Sequence, residues 1–132
     1  MNRVVARYQD GRVVKGVTND FLPAKDRFHL VLAESPPGAR PLEILVQDLK
    51  TLYFVKDFAG HPEHAKANEF DTSKPIQGRK IRVVFKDGEV MIGTTQGYQA
   101  GRPAFFVVPA DKESNNERCF VVSAATREVS LL

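Results

Sequence analysis

One cysteine, Cys119, and no tryptophan occur in the 132 residues. A lone thiol excludes an internal disulfide, so nothing in the cysteine usage calls for an oxidising compartment. Long apolar runs are missing too: no stretch approaches the roughly 20 residues of a membrane-spanning helix, and no integral membrane segment is expected. Met1-Asn2-Arg3 leads into an alternating strand pattern instead of an apolar leader, which makes the cytoplasm the expected location. Charge of one sign is also scarce. Nineteen basic against sixteen acidic side chains leave a net +3, far from the dense positive field of a dedicated nucleic-acid binder.

The equipment of catalysis is hard to find. No nucleophile stands beside a base, no carboxylates are paired, and no glycine loop has the spacing that cradles phosphate. The aspartates Asp10, Asp48 and Asp87 fall in turns, where their side chains have structural duties. His61, Glu63 and His64 resemble half a metal site, but two imidazoles fall short of the three or four ligands zinc requires; they read as part of a polar linker. His29 alternates with Phe28 and Leu30 and is expected on the solvent side of a strand. Cys119 aligns with Leu42 in the repeat described next, which favours a small core residue over a reactive thiolate. The expectation is a protein that is not an enzyme, with no cofactor and no metal.

What the sequence has is an internal repeat. Residues 2–55 match 79–132 without a gap when shifted by 77, the distance from Asp10 to Asp87. Asp10-Gly11 falls on Asp87-Gly88, Val13 on Val90, Gly16 on Gly93, Thr18 on Thr95, Phe28 on Phe105, Val31 on Val108 and Ala33 on Ala110. Apolar classes match as well: Tyr8 with Phe85, Phe21 with Tyr98, Leu52 with Val129, Phe54 with Leu131.

Each copy predicts five strands. The first copy places them at residues 4–8, 12–17, 27–32, 42–46 and a last short strand ending at 55; the second at 81–85, 89–94, 104–108, 119–123 and ending at 132. Asp-Gly between the first two strands predicts a two-residue type I′ hairpin with both turn residues at positive φ. Gly16 and Gly93, inside the second strands, predict a bulge or bend that lets a short sheet curl. Residues 56–77, with Gly60, Pro62 and Pro75, read as a linker, with one or two helical turns over residues 61–69. The expected organisation is a first barrel at 1–55, the linker, and a second barrel at 78–132.

Strand, Asp-Gly, strand with an interior glycine, strand, loop, strand, tight turn and short strand resembles the Sm-like and SH3-like small β-barrels. Tyr8-Gln9-Asp10-Gly11-Arg12-Val13 with Gly16, and Phe85-Lys86-Asp87-Gly88-Glu89-Val90 with Gly93, carry that resemblance. Residues 48–58 and 79–89 are similar to a bacterial family without an assigned activity, often found alongside PilZ signalling domains. The resemblance implies an all-β fold of two tandem five-stranded barrels packed together. Two departures matter. The RNA pocket of Sm-like proteins is not evident, because the final turns read Asp48-Leu49-Lys50 and Thr126-Arg127-Glu128. The cyclic di-GMP motif of PilZ domains is absent, because Arg79-Lys80-Ile81-Arg82 has the wrong spacing and nothing downstream completes it.

Strand alternation then singles out a basic face. With Ile81, Val83 and Phe85 inward, Lys80, Arg82, Val84 and Lys86 point outward; the first copy supplies Arg3, Val5 and Arg7 on the equivalent face. Arg102 and Arg118 add charge from neighbouring loops. These seven cations, Arg3, Arg7, Lys80, Arg82, Lys86, Arg102 and Arg118, are the candidate ligand or partner contacts, weighed against an ordinary solvated face with edge-protecting charge. Phe106 and Tyr53 must leave their own barrel cores, since neighbours on a strand face opposite ways; they are expected to cover the other repeat. The leading reading is a cytoplasmic adaptor or signalling module for an unidentified protein partner, with homo-oligomerisation open. An Sm-like RNA- or DNA-binding protein is the alternative, and a cyclic-dinucleotide receptor comes third.

Overall fold

The computed structural model describes residues 2–58, 78–111 and 115–132. The expected linker at 56–77, its helical turns and the His61, Glu63, His64 group fall almost wholly outside these residues. The chain is all-β. The first half runs β1 (Asn2–Tyr8), β2 (Val13–Thr18), β3 (Arg27–Leu32), β4 (Leu42–Leu45), a 3-10 turn (Val46–Asp48) and β5 (Leu49–Val55). The second repeats the order as β6 (Arg79–Phe85), β7 (Val90–Thr95), β8 (Ala104–Pro109), β9 (Asn116–Val122), a 3-10 turn (Ser123–Ala125) and β10 (Thr126–Leu131). Val46 and Ser123, expected to end the fourth strands, instead begin the 3-10 turns; in the second half the Thr126 hydroxyl donates to the Ser123 carbonyl at 2.7 Å.

The strands form one ten-stranded antiparallel sheet in the order β10-β6-β7-β8-β9-β5-β1-β2-β3-β4. Within each half the last strand returns to the first, β5 on β1 and β10 on β6. The halves meet where β5 pairs with β9 in the register Thr51 to Val121, Leu52 to Phe120 and Tyr53 to Cys119. Among the described residues, that leaves β4 and β10 as the two outer edges.

The hairpin tips differ from the two-residue turn expected. Gly11 and Gly88 have φ of 96° and 95°, but no other residue type among those described has positive φ, so Asp10 and Asp87 do not. The Gly11 N–H donates to the Tyr8 carbonyl at 3.1 Å and the Tyr8 N–H to the Arg12 carbonyl at 2.9 Å. This is a three-residue loop, a turn closed by a left-handed glycine. The aspartate side chain selects it: Asp10 Oδ1 accepts the Arg12 N–H at 3.0 Å, and Asp87 Oδ1 accepts the Glu89 N–H at 2.9 Å.

Gly16 and Gly93 serve close approach. A Cβ built on either would lie 2.2 Å from a backbone carbonyl, that of Val31 or Val108. Only a residue without a side chain lets the third strand cross the second there.

Among the described residues two apolar clusters form the core, and each borrows from the other half. The first gathers Val4, Phe28, Leu30, Ile44 and Leu52 of the first half together with Phe120 and Val122 of the second. The second gathers Ile81, Val83, Phe85, Met91 and Val107 with Tyr53 and Val55 of the first. Alternation along the paired strands produces the exchange: on β5, Leu52 and Phe54 face home while Tyr53 and Val55 face across. Phe106 packs on the first cluster as well, 4.8 Å from Phe120 and 6.1 Å from Phe54 between ring centroids. Each fully buried side chain of this kind contributes about 1.5–3 kcal/mol of transfer free energy. Cys119 is fully buried in the second cluster.

Candidate functional site

The seven candidate cations do not form one patch. Arg3 and Arg118 come together at one end of the joint. With Asn2, Val17, Phe54, Val55 and Glu117 they line an open cavity of about 590 Å³. The Arg118 guanidinium lies over two rings, 4.2 Å from the centroid of Phe54 and 4.8 Å from that of Phe106. Stacking of this sort fixes the plane of the guanidinium. Arg3 donates to the Lys56 carbonyl at 3.3 Å.

Arg7 lies at the other end of the joint. The stripe of Arg3, Val5 and Arg7 faces the second half: Val5 packs on the second cluster, and the Arg7 Nε is buried without a hydrogen-bond partner among the described residues. Beside it sits Lys50, which the sequence did not single out. Its side chain is 5% exposed, and its ammonium donates to Asp87 Oδ2 at 2.7 Å and to Glu89 Oε1. The ammonium also lies 4.6 Å from the centroid of the Phe85 ring. A first-half cation thus holds the β6–β7 hairpin of the second half. The Lys50 hydrogen bond, then the Glu89 N–H, keep the Asp87 carboxyl below its ordinary range, with Arg7 adding a smaller push. Burial, with the Glu89 charge adding to it, pushes the neighbouring Tyr53 phenol up.

The remaining cations lie elsewhere. Lys80 is exposed and Arg82 half-buried on β6, next to the outer strand β10. Val84, expected outward with them, is buried. Lys86 is exposed at the β6–β7 tip, its N–H donating to the Ala125 carbonyl. Arg102 holds a loop: its Nε donates to Gln99 Oε1 at 3.3 Å, and its carbonyl accepts the Ser123 hydroxyl at 2.7 Å.

At the opposite end of the sheet, β3 and β4 carry a cluster that sequence reading noted only as a surface histidine. His29 Nδ1 lies 2.7 Å from Asp20 Oδ2, and its Nε2 lies 3.8 Å from Glu43 Oε2. Arg27 pairs with Asp26 at 3.3 Å and Glu43 at 3.6 Å. The His29 N–H, followed by the His29 ring, lowers the Asp20 carboxyl to about 2. Among the described residues no three His, Cys, Asp or Glu side chains are grouped to hold a metal ion. No helix among them is long and apolar enough to cross a membrane.

The architecture defines an all-β protein with a single antiparallel sheet whose halves share their cores through one joint. Over residues 1–132 the sequence matches the model of DUF6982, a family of unknown function, and the chain belongs to that family. No curated protein and no solved structure matches it.

Proposed function

We propose that the protein is a non-enzymatic cytoplasmic binding module whose outer strand edges receive an extended segment of protein. On this reading each half is a small Sm- or SH3-like barrel, the two arising by duplication. The observation that carries it is the joint itself: one half recognises the other by adding a strand and exchanging side chains, while β4 and β10 remain as edges. An unpaired edge offers a row of N–H and C=O groups to an incoming strand. Exposed Leu42 on β4 and Leu131 on β10 supply apolar contact at those edges. The test compares what the full chain and the Leu42→Lys, Leu131→Lys double variant retain from the native cell. A protein retained by the first and lost by the second supports the reading. Equal recovery by both contradicts it.

A second reading, binding of RNA or DNA, draws on the Arg3 and Arg118 cavity, where a pre-oriented guanidinium could meet phosphate. Binding of short oligonucleotides that falls steeply with salt and falls again in Arg118→Ala would favour it over the first. The cyclic-dinucleotide reading gains no motif from the fold, and calorimetry against cyclic di-GMP tests it.

A further inference from the structure

We infer that the occupant of the outer edges is a second copy of this chain, joined head to tail with β10 of one copy against β4 of the next. The inference rests on the edge-binding reading above and names its partner. Its first support is continuity with the existing joint. The last strand of the first half pairs with the fourth strand of the second, β5 on β9. The counterparts of those two strands are β10 and β4, the two strands left at the ends of the sheet. Repeating the internal step once more places Glu128 opposite Ile44, Val129 opposite Glu43 and Ser130 opposite Leu42 of the next copy. The same step carries Arg127, the counterpart of Lys50, toward Asp10, the counterpart of Asp87. Pro41 stands where Arg118 stands in β9, so the new ladder would end there.

The second support is charge. At the joint the crossing residues are mostly apolar; at the free ends their counterparts are polar, and of opposite sign. The β6 and β10 end carries Lys80, Arg82 and Arg127, with Glu128 as the exception. The β3 and β4 end with its flanks carries Asp20, Asp26, Glu34 and Glu43 against Lys25, Arg27 and Arg40, a small negative balance. Ends that repelled one another would guard against self-pairing; ends of opposite charge steer it. A contact between unlike surfaces closes into a ring or runs on as a filament, according to the rotation between copies. With charge in place of buried aromatics, the outer contact is reversible and salt-sensitive where the inner joint is permanent.

The test is sedimentation velocity of the full chain at about 20 mM and about 500 mM salt. We expect assemblies at low salt that fall to single chains at high salt. Glu43→Arg and Arg127→Glu are both exposed changes, and each should weaken assembly at least about tenfold at low salt. Mixed together the two variants should associate again in pairs, because the unaltered β10 of Glu43→Arg can then meet the unaltered β4 of Arg127→Glu. A wild-type chain that stays single at low salt overturns the inference, as does an assembly indifferent to both reversals. If a native partner is nevertheless lost in Leu42→Lys, Leu131→Lys, edge binding stands and only self-pairing falls.

Discussion

β9 and β4 occupy the same place in their two halves and have opposite characters. Phe120 on β9 is buried in the first half's cluster, 5.1 Å from Phe21 of that half and 4.8 Å from Phe106 of its own; Glu43, its counterpart on β4, is exposed among His29 and Arg27. Phe106 itself corresponds to His29, and Tyr53 on β5 to Ser130 on β10. One backbone plan thus serves as a sealed joint in the middle of the sheet and as a charged edge at either end. Strand pairing alone does not decide which; two or three side chains on the outward face do.

Removing an aromatic from the joint should disturb the molecule most. Phe120→Ala should cost about 3–5 kcal/mol, because the ring is almost fully buried and its neighbours come from both halves. Urea unfolding followed by circular dichroism should show one transition, moved as a whole, since each half lends side chains to the other's core. Two separate transitions would mean that the halves do not depend on one another.

Lys50→Met tests the polar end of the same joint and should cost about 1.5–3 kcal/mol, the range of hydrogen bonds to charged groups. The freed carboxylates of Asp87 and Glu89 are partly exposed and can hydrate, which keeps the loss below that of a fully buried pair. The variant should also change the acid limb of stability. Asp87 has a lowered pKa in the folded protein, so its contribution is present above the unfolded carboxylate value and is lost as pH falls through the folded one. Without the Lys50 ammonium the folded pKa rises toward the unfolded value, and that loss becomes smaller.

Gly16→Ala and Gly93→Ala sharpen what the halves share. Each drives a methyl into a backbone carbonyl, a local overpacking that costs about 1–3 kcal/mol. Similar values for the two, measured by thermal unfolding, are expected; a neutral result at either would mean that the third strand can move away. The smallest effect belongs to the charged edge. His29→Ala should raise the Asp20 carboxyl pKa from about 2 only part of the way, because the backbone N–H of residue 29 is the larger cause and remains. Carboxyl titration by NMR reads this directly, and full recovery of an ordinary value would contradict it.

These features were unequally legible in the sequence. The repeat and the strands could be read because their causes are local: alternation and turn residues. Gly16 and Gly93 were expected at a bulge or bend, but the register shifts fall elsewhere, and the glycines admit a neighbouring carbonyl instead. The hairpin was misread at its tip because Asp10 and Asp87 bond to the backbone two residues on, which keeps them out of the left-handed region. Tyr53 and Phe106 announced themselves as apolar residues on the wrong side of their strands, and both pack on the other half's cluster. Lys50 gave no such sign, since its partners lie 37 and 39 residues away. The basic stripe of Arg3, Val5 and Arg7 was visible as a stripe. That it faces the second half depends on the β5 to β9 pairing, which no local pattern encodes.

The joint and the ends differ in firmness, and amide hydrogen exchange measures that difference strand by strand. In dilute protein at high salt, with copies apart, the amides of β5 and β9 should exchange only through global unfolding, while those of β4 and β10 exchange through local opening and much sooner. Exchange from β5 and β9 as fast as from β4 and β10 would show that the joint is no firmer than an edge and that the halves are not held by it.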